Sequence, residues 1–394
     1  MTELERKALL PAGLRDILPP DAGFEAEICE TLAASFASHG YDRVKPPLVE
    51  FEDSLMSGAG AAVSADTFRL MDPVSQRMMG VRADMTTQVA RIALTRLSDM
   101  PRPLRLSYTG EVLRVRGTQL RPERQFTQVG AELIGAASAA ADIEIIAIAV
   151  GSLREIGIPA LSVDLNIPPL VSALIDDLDL PDDDRAALRG ALDRKDLASV
   201  RDRGGKHADA FCNLMDGTGP AVDALEVLDG LSLPAVAAGE LARLRSVAAG
   251  LARRIPDLDI TIDPIENRGF EYHVGVGFTF FSRGERGEIG GGGRYIATLN
   301  GSDAGNDNGE AATGFTLYID TIMRVLPDPE ARMRLFVPFG ASGGAALAKL
   351  RDDGWVTVSG LDEIADGVAE ARRLGCSHIW VSGAAKPLEQ EKTR

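Results

Sequence analysis

Phe24, Ile28, Leu32 and Phe36 fall four apart, the spacing of one apolar stripe on an α-helix, and Gly40 stands where the helix would be capped. The preceding stretch, PAGLRDILPPDAG, is rich in turn formers and has no period. YDRVKPPLVE reads as extended; Pro46 and Pro47 have no amide to donate, which places them at a sheet edge or a strand end. Residues 51–80 read as loop with short strands: SGAGAAVSAD is small and flexible, and FRLMDPVSQRMMGV is a hairpin turning at Asp72-Pro73. Helical spacing returns from Met85 in MTTQVARIALTRL. LRLSYTGEVLRV and RQFTQVGAELIG are then two strands joined by the polar loop RGTQLRP, one long antiparallel hairpin. A strongly apolar helix over about 139–156 follows, and Leu161, Val163 and Leu165 alternate as a strand.

The pattern changes near Ile167. From there to about Pro256 the chain is rich in Ala, Leu and Asp, with helical periodicity and almost no strand signal, which predicts a helical insertion over about 167–256. Strand character resumes at LDITIDP and runs through EYHVGVGFTFF. Gly290 to Gly293 precede Arg294-Tyr295, and ATGFTLYIDTIMRVL has a strand-to-helix pattern. Over residues 334–394, LFVPFG, WVTVSG and HIWVSG read as strands separated by the helical stretches ALAKLRDD and EIADGVAEARRLG, a β-α-β-α-β unit of parallel type. The expected fold is therefore α+β: a mostly antiparallel sheet flanked by helices, with a helical insertion, over residues 1–328, and a small α/β C-terminal unit over residues 329–394.

Composition narrows the possibilities. A length of 394 residues fits two to three domains, and 45% hydrophobic with 25% charged residues is ordinary for a soluble globular protein. No apolar run reaches the ~18 residues of a membrane span. MTELERKALLPAGL lacks the basic start and apolar core of a signal peptide, so a cytoplasmic protein with no membrane partner is expected. A net charge of 42 − 58 = −16 argues against broad electrostatic binding of nucleic acid. Cys29, Cys212 and Cys376 have neither disulfide nor metal-ligand spacing, and the four histidines form no cluster; neither a metal nor a cofactor is expected.

Four constellations could carry chemistry. Arg82, Asp84 and Thr86 alternate in VRADMTTQVAR, and a carboxylate beside a hydroxyl suits an ammonium ligand; Asp84 equally suits a helix cap. Phe126, Gln128, Gly130 and Glu132 share one strand face, where Glu132 could bind a cation or simply face solvent. Arg114, Arg116, Arg121 and Arg124 surround one hairpin and could grip phosphate or carboxylate oxygens, or pair on the surface. Finally, Arg268 and Tyr272 lie four apart in NRGFEYHVG, and GEIGGGGRY would let backbone approach a ligand closely.

Together and in this order these pieces resemble a class II aminoacyl-tRNA synthetase core, and within that class the histidyl-tRNA synthetases, over residues 8–328. PAGLRDILPP resembles that family's opening. GYDRVKPPLVE is similar to motif 1, which lies at the dimer interface in the family. YTGEVLRVRGTQLRPERQFTQVGAELIG is similar to motif 2, NRGFEYH to the second histidine-specific signature, and GGGGRY with ATGFTLYIDTIMRVL to the last strands and motif 3. The resemblance implies a histidine pocket. Asp84 and Thr86 would hold the amino group, Gln128 and Glu132 would be its polar pair, and Arg114 would lie between the amino acid and an α-phosphate. Arg268 matches the arginine peculiar to the histidine enzymes and Tyr272 a tyrosine facing the imidazole; His273 replaces a second tyrosine.

The departures concern ATP. Arg116 stands where the enzymes have glutamate, Pro122 where an ATP-gripping arginine falls, and Thr321 where the motif 3 arginine packs on the nucleotide. Residues after 334 are too few for an anticodon-binding domain and carry no basic patch, so no tRNA partner is expected. This combination resembles the regulatory subunits of ATP phosphoribosyltransferase. Their resemblance implies a non-catalytic chain that homodimerises through motif 1, joins the short-form catalytic subunit in a hetero-octamer, and lets histidine inhibit the first step of histidine biosynthesis. The alternative is a truncated histidyl-tRNA synthetase that activates histidine with ATP.

Overall fold

The computed structural model describes residues 8–56, 64–118, 121–266, 273–299, 309–329 and 331–388. The chain divides into two compact units, residues 1–327 and 328–394. The first unit opens with an irregular segment and helix α1 (Asp21–Ser38), followed by strands β1 (Asp42–Arg43) and β2 (Val49–Phe51). A single helical turn, α2 (Glu52–Leu55), leads to the hairpin of β3 (Phe68–Met71) and β4 (Met78–Val81). Helix α3 (Thr86–Thr95) is followed by the long hairpin of β5 (Leu104–Leu113) and β6 (Gln125–Ile134), then by α4 (Ala139–Glu155) and β7 (Leu161–Asn166).

The insertion is helical, as its composition predicts. It contains α5 (Pro168–Asp176), α6 (Asp182–Asp193), α7 (Leu197–Arg203), α8 (Ala208–Asp216), the two-residue strand β8 (Gly219–Pro220), α9 (Ala221–Asp229) and α10 (Ala235–Arg254). The chain then returns to the sheet as β9 (Asp259–Ile262), β10 (Gly277–Ser282), β11 (Gly290–Ala297) and β12 (Glu310–Tyr318), and closes with α11 (Ile319–Val325).

Nine of these strands form one sheet in the order β1-β5-β6-β12-β11-β10-β7-β9-β8. Its pairs are antiparallel except β1 with β5 and β7 with β9. Period-two alternation sorts the side chains of β6 between two worlds. Val129, Ala131 and Leu133 enter the main core with Ile28, Leu32 and Phe36 of α1 and Ile145, Ala149 and Leu153 of α4. The leucines of the insertion, among them Leu170, Leu192, Leu228 and Leu244, extend the same core. Gly250 allows α10 to lie close on α4: a Cβ there would stand 2.2 Å from the Ile143 side chain. The other face of the sheet packs on α3 through Leu104, Leu106, Tyr108 and Phe126, with Met85 and Val89.

One local expectation changes. Among the described residues of EYHVGVGFTFF, the strand starts only at Gly277. The glycine run 290–293 is strand β11, whose residues need to be glycine because neighbouring backbone is near: a Cβ on Gly292 would meet the Gly314 carbonyl oxygen at 2.0 Å. SGAGAAVSAD lies mostly outside the described residues.

The C-terminal unit has β13 (Arg334–Val337), α12 (Gly344–Asp352), β14 (Val356–Ser359), α13 (Gly367–Arg373) and β15 (His378–Val381), as read, plus an unanticipated strand β16 (Ala384–Pro387). Ser382 and Gly383, at φ +54° and +84°, make the two-residue turn that folds β16 back antiparallel onto β15. The sheet order is β14-β13-β15-β16, with β14 and β15 both parallel to β13. Alternation along β13 sends Leu335 and Val337 toward Leu347 of α12 and Phe336 toward Ala371 of α13, so the two helices cover opposite faces. Helix α13 starts later than its periodicity suggests because the Asp366 carboxylate accepts the amides of Val368 and Ala369, which fixes the cap there. Among the described residues no helix is long and apolar enough to cross a membrane, and no group of His, Cys, Asp and Glu is arranged to hold a metal.

Candidate functional site

On the face of the large sheet that α3 packs against, a cavity of about 450 Å³ opens above β6, β12 and β11. Its floor is glycine: Gly291, Gly292 and Gly293 of β11 and Gly314 of β12. Asp84, Thr86, Glu132, Tyr295 and Tyr318 surround it, with His273, Asp164, Glu266, Thr279, Phe281 and Glu288 beyond.

The acidic wall is built in two layers. Asp84 precedes α3; its Oδ1 accepts the Thr86 amide at 2.8 Å, so it serves the helix start, and its Oδ2 accepts Gln128 Nε2 at 3.0 Å. Gln128 in turn accepts the Met85 amide at 3.1 Å. Gln128 is fully buried and lies behind the cavity wall, holding Asp84 in place. Glu132 is 1% exposed, which removes the solvent-facing reading of its strand face. Gly314, its direct partner across the β6–β12 ladder, makes the space: a Cβ there would stand 1.8 Å from Glu132 Oε2. Tyr295 donates its hydroxyl to Glu132 Oε2 at 3.0 Å. Tyr108 and Thr316 hydroxyls bond each other at 2.6 Å at the edge of the same group.

Burial pushes the Glu132 carboxyl up to about 8; the Tyr295 hydroxyl opposes that rise and the neighbouring Asp84 adds to it. Asp164 is also raised, first by burial and then, against the Thr261 hydroxyl, by Asp263 and Glu266. His273 is pushed down to about 3 by burial, which keeps the ring neutral. Among the described residues the cavity lining has no Lys or Arg and includes a buried carboxyl group, an environment that favours a cationic guest.

The arginines have other places. Arg114 sits with its guanidinium 5.1 Å from the Phe126 ring centroid and donates to the Ala83 carbonyl at 3.4 Å; it does not line the cavity. Arg116 is exposed, 3.9 Å from Asp66. Arg124 donates to the Arg114 and Ala12 carbonyls. Arg121 is buried, its guanidinium 3.7 Å above the Tyr318 ring and 3.4 Å from Asp320 and Glu288. Thr321 is buried and its hydroxyl accepts from Arg324 at 3.2 Å. Arg82 donates to the Glu111 and Pro46 carbonyls and does not line the cavity. Arg268 and Tyr272 lie outside the described residues.

The structure therefore brings Asp84, Thr86, Glu132 and His273 together around one cavity, with Gln128 behind them. Sequence reasoning missed Tyr295, Tyr318 and Glu288. For Tyr295 the signal was present: Gly291, Gly293 and Tyr295 alternate onto one face of β11, and the glycines leave that face open to the tyrosine.

The family model described as histidyl-tRNA synthetase matches residues 13–322. The chain is 52% identical to an ATP phosphoribosyltransferase regulatory subunit of Paramagnetospirillum magneticum, over 96% of this chain and 97% of that one. It is 51% identical to one of Rhodospirillum centenum, over 97% of each. A solved structure, an ATP phosphoribosyltransferase regulatory subunit/histidyl-tRNA synthetase from Bacillus halodurans, superposes with a TM-score of 0.78 at 24% identity, over 93% of this chain and 96% of that one.

Proposed function

Because the chain belongs to the family of ATP phosphoribosyltransferase regulatory subunits, built on a histidyl-tRNA synthetase fold, we propose that it is the histidine-sensing member of that assembly and has no catalytic role of its own. Its partner on this reading is the short-form catalytic subunit, in a hetero-octamer, and it pairs with a second copy through the motif 1 segment. L-Histidine occupies the acidic cavity, with Asp84, Thr86, Glu132 and Tyr295 meeting its cationic and hydrogen-bonding groups. Arg268 and Tyr272 complete the pocket by resemblance, and Arg114 steadies it from outside the lining.

The observation that carries the reading is the contrast between the two parts of the site. Of the acids suited to an amino acid, Glu132 is buried and held by Tyr295, and the half-buried Asp84 is held by Gln128. The groups that a nucleotide would need are engaged elsewhere: Arg121 is spent on Tyr318, Asp320 and Glu288, and Thr321 offers no charge. Adenylate formation depends on cations placed where phosphate charge develops, and without them activation is lost while amino-acid binding survives. Titration calorimetry should detect histidine binding to the wild type and none to Glu132→Ala, since truncating one partner of a buried charged contact typically costs about 2–5 kcal/mol. The wild type should also lack histidine-dependent ATP–pyrophosphate exchange. Robust exchange by chain free of host synthetase would favour the synthetase alternative.

A further inference from the structure

The C-terminal unit presents a second cavity, of about 430 Å³, at the carboxyl ends of β13 and β14. Phe336 forms its apolar floor, and Pro338 and Phe339 border it on the β13 side. The loop between β14 and α13 borders it on the other, with Asp362, Glu363 and Ile364. Crevices outside the carboxyl ends of the strands are the habitual binding positions of open parallel sheets.

Two properties of the rim identify what fits. First, it is apolar and wet: of its lining, Phe339 is 56% exposed and Ile364 43%, and Leu361, next to Asp362 in the same loop, is 82% exposed. Large apolar side chains gathered at one cavity mouth and bordered by polar groups mark a surface that another protein covers; a small ion or metabolite within the crevice would leave them in water. Second, the rim is acidic without compensation. From Asp352 through Ala371 the sequence has six acidic residues and no Lys or Arg. Glu370 is tied to Arg373 and Asp366 caps α13. Asp362 and Glu363 have no cationic partner among the described residues.

We infer that this crevice is a docking surface for the catalytic subunit, and that the docked segment inserts an apolar side chain at Phe339, Leu361 and Ile364 while placing Lys or Arg against Asp362 and Glu363. The inference rests on the regulatory-subunit reading for the identity of the partner. It does not depend on the histidine cavity, which lies in the other unit.

The test uses the full chain and the purified short-form catalytic subunit, with association and dissociation followed at several salt concentrations. Rim charges act mainly on the association rate and its salt dependence, and apolar anchors on dissociation. Asp362→Lys/Glu363→Lys should slow association about tenfold or more and flatten or invert its salt dependence. Leu361→Ser/Ile364→Ser should speed dissociation about tenfold or more. Thermal melts and histidine calorimetry on both variants should match the wild type, which separates loss of docking from misfolding. Partner affinities within about twofold of wild type for both variants would overturn the inference. So would a wild type that binds histidine but never associates with the catalytic subunit. A wild type that associates, loses association in these variants, and fails to bind histidine would support the docking surface and sink the histidine pocket.

Discussion

Glu132 owes its place to a glycine. Gly314 faces it across the ladder, and only the missing Cβ leaves room for a carboxylate inside the sheet face. The cost of that burial appears as proton affinity: the carboxyl is held near 8, against 4.5 for the free group. The folded chain then keeps a proton that the unfolded chain releases between those values. This contribution to stability is full below about 4.5 and is lost as pH rises through about 8. Ligand-free wild type should therefore lose stability between pH 6 and 9 relative to Glu132→Gln, whose amide cannot ionise. Denaturant melts of both proteins across that range check it. Parallel curves for the two would mean that Glu132 is already charged in the folded chain.

At the scale of the element, the β5–β6 hairpin was readable because alternation is a local signal, and it correctly placed Phe126, Gln128, Gly130 and Glu132 on one face. Whether that face is dry was not readable. It depends on Tyr295 and Gly314, more than 160 positions further along the chain, and on α3 packing above. The need for glycine in the run 290–293 was hidden for the same reason: it comes from a neighbouring strand's backbone, not from the run's own sequence. Strand β11 also carries Arg294, which no pattern singled out as structural. Its guanidinium meets the Asp142 carboxylate of α4 at 2.8 Å and donates to the Ala136 and Ser138 carbonyls, with both partners buried. Burial raises Asp142 while Arg294 pulls it down. Arg294→Ala leaves a buried carboxylate without its ion-pair partner and should cost about 3–5 kcal/mol in chemical denaturation, whereas Arg294→Ala/Asp142→Ala should cost markedly less than the single change. Equal losses for the two would show that the arginine acts through its carbonyl bonds instead.

At the scale of the molecule, each unit has its own cavity: an acidic one on the large sheet, and a crevice at the strand ends of the small parallel unit. The fold class and the helical insertion were legible from period and composition. The crevice was not, because the apolar rim and uncompensated acids come together only when β13, β14 and their loops are in place. A regulatory chain acts on its partner only through a coupling free energy, typically about 1–3 kcal/mol, or about 5–150-fold in affinity. Under the proposed function, activation needs association, and inhibition needs both association and bound histidine. The direct measurement is phosphoribosyl transfer by the short-form catalytic subunit reconstituted with wild-type or Glu132→Ala chain, titrated with histidine. Both chains should raise the partner's activity, and only the wild-type complex should be inhibited. A Glu132→Ala complex as histidine-sensitive as the wild type would contradict this and place the sensor elsewhere in the assembly.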